Sequence, residues 1–116
     1  MVAMFANLAV LPVWAKPNEI IIIVKDWGTR KPLPGIEFYL INQNDFDLLY
    51  NYGVFSVLSP DKLYTTNENG KKIINNSLEI YSAGTYYIVY KISETDLNWN
   101  YFTITKNLSG HGTLFI

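Results

Sequence analysis

The sequence predicts an all-β fold, a small antiparallel β-sandwich of seven to eight short strands. Apolar and polar residues alternate in several segments, Gly and Pro clusters separate these segments about every ten residues, and no segment has a sustained helical period. The nine Tyr residues and the many Ile, Val and Thr residues suit a pleated, half-buried surface. At 116 residues, the chain has the length of one ordinary domain.

The first strands follow from β-branched and alternating runs. Residues 19–25 contain five consecutive β-branched residues, which predicts a buried strand. Residues 26–31 predict a turn, and Pro32 and Pro34 exclude a helix or a central strand directly after it. Residues 35–41 alternate, which predicts a second strand with one face in the core. The residues on that face are Ile36, Phe38 and Leu40.

The middle of the chain predicts a loop, a tight turn and three or four further strands. Residues 42–47 are polar and predict a loop, and residues 48–58 predict one long bent strand or two short ones. Residues 67–70 contain Asn-Gly, which accepts positive φ and therefore predicts a hairpin between strands 62–66 and 71–75.

The last third predicts two long strands and a glycine-rich end. We expect Leu78 and Ile80 to dock under the sandwich. Residues 84–91 and 99–106 alternate and predict strands, whereas residues 107–112 are rich in glycine and predict a loop. In the first of these strands Tyr86, Ile88 and Tyr90 share one face, and Tyr86 is predicted to enter the core; in the second, Phe102 and Ile104 share one face.

Residues 1–15 differ from the predicted domain, residues 16–116, because they are almost wholly apolar and carry no charge. They are too short to span a bilayer, which needs about 20 apolar residues. Three interpretations are open: the end of a secretory signal, a first strand of the domain, or a donor strand that completes a neighbouring subunit's sheet. The residues of such a donor strand would be Val2, Met4, Leu8 and Val10.

Composition excludes several function classes. The chain has no cysteine, which excludes disulfides and thiolate metal sites, and its net charge of −1 gives no support to a nucleic-acid partner. No nucleophile–base pair or metal-ligand set is visible, so we expect no catalysis, no cofactor and no bound metal. His111 is predicted to be a loop residue, and Asp45 and Asp47 to be solvated rather than calcium ligands.

Aromatic residues offer a separate hypothesis. Trp27, Trp99 and Tyr101 could stack on sugar rings or contact a protein partner, and Trp27 is the best candidate because it lies in a turn. We favour the simpler interpretation, in which most rings fill the core or pair across strands.

Three motifs in fixed order carry a resemblance to a known family. They are KPLPGI at residues 31–36, TNENGK at 66–71 and AGTYY at 83–87. Residues 20–91 resemble the prealbumin-like Ig-type β-sandwiches, which include the Cna B-type repeats of bacterial surface adhesins and the carboxypeptidase regulatory-like domains. The resemblance implies an Ig-like sandwich and a cell-surface setting.

Many Cna B-type domains carry an isopeptide bond between a first-strand Lys and a last-strand Asn or Asp, assisted by a Glu. The resemblance places Lys25 near the position of the Lys and offers Asn107 or Asn100 as its partner. Tyr90 occupies the place of the expected Glu, so proton transfer for amide formation lacks its carboxyl group. We therefore expect no isopeptide bond.

The sequence thus predicts a non-enzymatic, extracellular or cell-surface module with a structural or adhesive role. Its partner would be another protein or a second copy, joined through strand edges, and one version is a filament subunit that assembles by β-strand addition. We expect no membrane span in the mature domain. The alternative is a carbohydrate-binding accessory domain of a secreted protein, with a glycan as its partner.

Overall fold

The computed structural model describes residues 16–116, and these form seven strands and one α-helix. No helix among these residues has the length and apolar character needed to cross a membrane. In chain order the elements are β1 (Glu19–Lys25), β2 (Glu37–Asn42), α1 (Gln43–Tyr52), β3 (Leu63–Thr65), β4 (Lys71–Asn75), β5 (Gly84–Lys91), β6 (Leu97–Ile104) and β7 (Gly110–Phe115).

The strands form two sheets that face each other, which confirms the predicted β-sandwich. One sheet has three strands in the order β4-β1-β7, and the other has four in the order β3-β2-β5-β6. Every strand pair is antiparallel except β1 with β7, which run parallel. The sandwich is therefore antiparallel as predicted, with this one parallel pair as the exception.

The alternating residues fill the space between the sheets, as predicted. Neighbours along a strand point to opposite faces, so every second residue of β1, β2, β5 and β6 reaches the core. The most completely buried apolar side chains of this core are Ile20, Ile22, Val24, Phe38, Leu40, Ile88, Ile104 and Leu114.

The predicted loop at residues 42–47 and the predicted strand at 48–58 are wrong, because the chain forms α1 there. The Asn42 side chain accepts a hydrogen bond from the Asp45 N–H at 2.7 Å and caps the helix. Gly53 ends the helix at φ +66°, a left-handed conformation that glycine adopts without strain. Ten residues give too few turns for a clear period in the sequence.

The predicted hairpin at residues 67–70 is also wrong, although the turn itself is present. β3 pairs with β2 and β4 pairs with β1, so the turn crosses from one sheet to the other. Gly70 has φ +72°, and a Cβ there would lie 2.5 Å from the Pro32 Cβ. The glycine therefore serves close packing against the segment before β2 as well as the turn.

Two predictions for the last third of the chain are wrong. Leu78 and Ile80 are 83% and 62% exposed, and Tyr81 is the buried residue of that loop instead. His111 lies on β7 rather than in a loop, because that strand begins within the glycine-rich segment at Gly110.

Candidate functional site

The parallel pair of β1 and β7 crosses the length of the sandwich. Its register joins Ile20 to Gly110 at one end and Lys25 to Phe115 at the other. Main-chain bonds extend the pairing past both ends: Asn18 N–H donates to the Asn107 carbonyl at 2.9 Å, and Ile116 N–H to the Lys25 carbonyl at 2.9 Å. We call this set of bonds the β1–β7 ladder.

Side chains of β6 hold the other edge of β7. The Asn98 amide donates to the Phe115 carbonyl and the Asn100 amide to the Thr113 carbonyl, each at 2.8 Å. These two asparagines occupy the same face of β6 as Phe102 and Ile104, but Asn98 is only partly buried and Asn100 is exposed. Asparagine at two successive positions of this face is a sequence signal for the contact, although the sequence-based predictions did not include it.

Two glycines let β7 approach the opposite sheet. A Cβ on Gly110 would lie 2.9 Å from the Phe102 ring, and one on Gly112 would lie 2.7 Å from the Ile88 Cδ1. Side chains at these positions would require the Phe102 and Ile88 side chains to shift within the core. The two glycines of the Gly-His-Gly segment that begins β7 therefore reflect close packing between the two sheets.

The structure does not bring the isopeptide candidates together. Lys25 ends β1, whereas Asn107 pairs with Asn18 before β1 begins. The seven residues of β1 separate them by about 23 Å. Asn100 is already bound to β7, and the described core contains no buried Lys, Asp or Glu.

The edge strands are β4 and β7 in the three-stranded sheet and β3 and β6 in the four-stranded sheet. β3 has only three residues. In β4, Lys72 is paired with the buried Ile22, so its side chain starts on the core side of the sheet. Its ammonium group lies 5.9 Å from the centre of the Tyr64 ring. Short edges and inward-pointing lysines are devices that oppose edge-to-edge pairing.

The outer face of the four-stranded sheet is covered by α1 through an aromatic cluster of Phe46, Tyr50, Tyr87 and Trp99. The rings of Phe46 and Tyr87 are nearly parallel, with centroids 3.8 Å apart. Trp99 meets Phe46 edge-on at 4.9 Å and Tyr50 at 5.8 Å. Because these rings contact one another, the cluster resembles a small second hydrophobic core. It does not present a flat row of exposed ring faces.

The other predicted contact residues lie apart from one another or use their faces within the protein. Trp27 is 67% exposed, but the Arg30 guanidinium lies 5.4 Å from its ring centre and 5.3 Å from that of Phe115. Tyr101 is exposed beside Tyr87, at a tilted ring distance of 6.0 Å. Trp27 follows β1, whereas Trp99 and Tyr101 belong to β6 of the other sheet.

The outer face of the three-stranded sheet has no such cover among residues 16–116. Ile21 and Ile23 of β1 point outward, and Ile73 of β4 lies directly beside Ile21. We call these three residues the isoleucine face. His111 borders it on β7, and its pKa is lowered by partial burial and by the positive charges of Lys71 and Lys25.

A buried asparagine joins three segments at the end where β1 begins. The Asn76 side chain accepts from the Tyr81 N–H at 2.9 Å and donates to the carbonyls of Tyr81 and Leu108, at 2.7 and 3.2 Å. Its own N–H donates to the Asn18 carbonyl at 2.7 Å. The chain therefore enters β1 from an end that is fixed by hydrogen bonds.

The acidic residues of α1 have partners within the protein. Asp45 forms an ion pair with Lys62 at 2.7 Å, and Asp47 accepts a hydrogen bond from the Gln43 amide at 2.9 Å. Residues 16–116 contain no group of three or more His, Cys, Asp or Glu side chains that could hold a metal ion. The donor-strand residues Val2, Met4, Leu8 and Val10 lie outside the described residues.

No protein-family model matches this chain, and no curated protein matches its sequence. Solved pilin structures share its fold. The backbone protein of group B streptococcus pilus 2b matches with a TM-score of 0.56 and 21% identity, over 86% of this chain and 40% of that one.

Two further pilins match over the same 86% of the chain. Shaft pilin SpaA of Lactobacillus rhamnosus GG has a TM-score of 0.52 and 18% identity over 46% of its length. BcpA, the major pilin subunit of Bacillus cereus, has a TM-score of 0.50 and 16% identity over 30% of its length. This chain thus spans less than half the length of each pilin.

These similarities confirm the fold that the sequence motifs indicated. The chain has the prealbumin-like, Ig-type β-sandwich found in Gram-positive pilin shaft and backbone domains.

Proposed function

We propose that this domain is a non-enzymatic structural module of a secreted or cell-surface protein and carries tension along the sandwich. The observation that carries the proposal is the β1–β7 ladder. Its parallel strands place the start of β1 and the end of β7 at opposite ends of the sheet. The similarity in fold to pilin backbone and shaft proteins supports an extracellular structural role.

The mechanical argument rests on strand direction. When force is applied before β1 and after β7, two parallel neighbours slide past each other, so the evenly spaced bonds between them are loaded together. If both handles are at one end of the pair, the bonds break one after another and the resistance falls. The side chains of Asn98 and Asn100 add hydrogen bonds to the far edge of β7 and oppose its detachment.

Single-molecule force measurements test this role. The chain has no cysteine, so handles can be attached in the full chain through Lys16→Cys and Ile116→Cys, or through Lys16→Cys and Ser109→Cys. Ser109 precedes β7 at the end where β1 begins, which makes the second attachment the matched control. We expect a severalfold higher unfolding force for residues 16 and 116. Equal forces in the two geometries would reject the proposal.

The same experiment tests the absence of an isopeptide bond. Without a covalent link between β1 and β7, unfolding between residues 16 and 116 extends the chain to roughly 360 Å. A shorter extension in every molecule would indicate a cross-link, and an intact mass lower by one ammonia would identify it.

The finer version of this proposal is a filament or adhesin subunit that assembles by strand addition. Its support is the uncharged apolar segment 1–15, which precedes β1. The short β3 and the inward-pointing Lys72 of β4 make both strands poor partners for an added strand. Strand addition at β4 therefore requires displacement of Lys72 from the Tyr64 ring. N-terminal sequencing of native protein is the test, since a first residue near Lys16 rejects the donor strand.

A carbohydrate-binding role is the alternative, and no contact in the aromatic cluster favours it. Sugars stack on exposed ring faces, whereas Phe46 and Tyr87 stack on each other. A glycan array that detects no binding would remove this alternative.

A further inference from the structure

The turn between β3 and β4 contains the pair Asn69-Gly70, whose chemistry the proposed role does not use. An Asn side chain that precedes Gly is open to attack by the next main-chain nitrogen, because glycine has no side chain to hinder the approach. Asn69 is exposed to solvent, whereas Gly70 is buried. The carbon that would be attacked is thus accessible, but the attacking nitrogen belongs to a buried residue.

Hydrogen bonds hold the main chain of this turn. The Gly70 N–H donates to the Asn67 carbonyl at 2.9 Å, and the Asn67 N–H donates to the Lys71 carbonyl at 2.7 Å. The Asn67 side-chain oxygen accepts from the N–H groups of Asn69 and Lys71, at 2.8 and 3.1 Å. The attacking nitrogen is therefore part of a network of hydrogen bonds centred on Asn67.

The conformation of the turn also keeps the two reacting atoms apart. Glu68 and Asn69 both have negative φ, and the Gly70 N–H closes the turn onto Asn67, as in a type I turn. In such a turn the ψ angle of the third residue, here Asn69, is about 0°. The Gly70 nitrogen then lies on the side of the Asn69 N–H and away from the Asn69 side chain, so ψ must rotate before the two can join.

The packing of Gly70 opposes that rotation. A Cβ at Gly70 would lie 2.5 Å from the Pro32 Cβ and 2.8 Å from the Leu33 main-chain nitrogen, so the glycine lies very close to this segment. The Gly70 carbonyl accepts a hydrogen bond from the Val24 N–H at 3.0 Å, next to the last pair of β1 and β4. Rotation at Asn69 displaces Gly70 and therefore disrupts both contacts.

We propose that Asn69 is a site of spontaneous deamidation that the fold holds unreactive, and that it reacts only when the turn between β3 and β4 opens. In the reaction the Gly70 nitrogen bonds to the Asn69 Cγ, and the side-chain nitrogen leaves as ammonia with the Gly70 amide proton. Water then opens the resulting cyclic imide. Opening at the side-chain carbonyl gives aspartate, and opening at the main-chain carbonyl gives isoaspartate, whose main chain is longer by one methylene. The inference goes beyond the tension-bearing role and does not depend on it.

Incubation of the full chain at mildly alkaline pH, with and without guanidinium chloride, tests this proposal. Local opening of a folded chain costs free energy, so we expect Asn69 to convert roughly tenfold faster or more in the unfolded chain. Each conversion replaces an amide by a carboxyl group and raises the mass of the tryptic peptide of residues 63–71 by one dalton, and fragment masses separate Asn69 from Asn67. Equal rates in the folded and unfolded chain, or no conversion in the unfolded chain, would overturn the proposal.

A pair of variants at Asn67 sharpens the test. Asn67→Ala removes the side-chain oxygen that accepts from the Asn69 and Lys71 N–H groups, but leaves Asn69 and Gly70 unaltered. We expect the folded Asn67→Ala chain to deamidate severalfold faster than the folded unaltered chain. Asn67→Asp is the matched control, because its carboxylate keeps an acceptor oxygen and should keep the rate low. Equal rates in the two folded variants would overturn the gating by this turn.

The stability of the product tests the packing argument. Isoaspartate at position 69 should destabilise the fold, because its longer main chain displaces Gly70 from Pro32 and from the Val24 N–H. Asn69→Asp is the matched control, since it introduces the same charge at this exposed position without the extra methylene. We expect a lower guanidinium midpoint for the isoaspartate form, identified with a methyltransferase specific for isoaspartate, than for Asn69→Asp. Equal midpoints would overturn the role of Gly70 packing. None of these results alters the force measurement, which tests the β1–β7 ladder alone.

Discussion

The two outer faces of this sandwich are both apolar, but only one of them has a cover among the described residues. Tyr87 and Val89 of β5 point away from the main core and are packed under α1, where Val89 is fully buried. Ile21 and Ile73 point away from the same core on the other sheet, and Ile73 is half exposed. Outward apolar residues are thus buried on one sheet, because α1 packs over them, and stay partly exposed among the described residues of the other sheet.

The largest expected effect is at the covered face. Phe46 is 5% exposed and stacks on Tyr87, so Phe46→Ala should lower the free energy of unfolding by about 3–5 kcal/mol. Chemical denaturation measures it, with Tyr52→Ala as the control. Tyr52 lies on the same helix but is 77% exposed, and its loss should change stability by about 0.5 kcal/mol or less. Similar costs for both variants would mean that α1 does not cover the sheet.

The next effect concerns the start of α1. Asn42→Ala removes the side chain that accepts from the Asp45 N–H, and the loss of such a cap costs about 1 kcal/mol. The change is measured as a shift in the denaturant concentration at the unfolding midpoint, provided that the slope of the unfolding free energy against denaturant concentration stays the same. Asn44→Ala, an exposed position inside the same helix, is the control and should not destabilise the protein. An undiminished midpoint for Asn42→Ala would contradict the cap.

A smaller effect is expected on the isoleucine face. Ile73 and Ile74 are neighbours on β4 that point to opposite sides of the sheet. Ile73→Ala in the full chain should cost less than about 1 kcal/mol. Ile74→Ala is the matched comparison and should cost about 2–5 kcal/mol, because Ile74 is 6% exposed. Equal costs would show that the outer face is buried as completely as the core.

The smallest effect is the pH dependence from His111. The pKa of His111 is lowered in the folded state from its value of about 6.5 in the unfolded chain. At mildly acidic pH the folded protein therefore binds fewer protons than the unfolded chain. Stability should therefore fall as the pH decreases from neutral toward about 5.5, and His111→Gln should remove part of that fall. Urea midpoints at the two pH values give the comparison. An identical pH dependence in the variant would contradict this role of His111.

Much of the fold was predictable because strand alternation is a local property. β1, β2, β5 and β6 follow runs in which every second residue is apolar, and those residues fill the core. The helix was not predictable in the same way, because the aromatic residues of α1 also suit strands. Its cap by Asn42 is visible only once the backbone is known.

The candidate site was less predictable than the fold. Lys25 and Asn107 were proposed from a resemblance, but the distance between them follows from which end of β1 meets which end of β7. The contact of Asn98 and Asn100 with β7 joins residues 13 to 17 positions apart. Such contacts depend on how the two sheets pack against each other. Local sequence patterns do not specify which distant residues this packing brings together.

The amino-acid sequence alone specifies the alternation, the positions of the turns and the apolar character of both sides of β1. Hydrophobic periodicity extends over only a few residues, so it can be recognised in the sequence without knowledge of the fold. Three features emerge only in the folded chain: β7 runs parallel to β1, the Asn-Gly turn crosses between sheets, and α1 covers one outer face. These features depend on which segments, far apart in the sequence, bury apolar surface against each other. The local hydrophobic pattern does not specify these partners, since the same pattern is compatible with several arrangements of the strands.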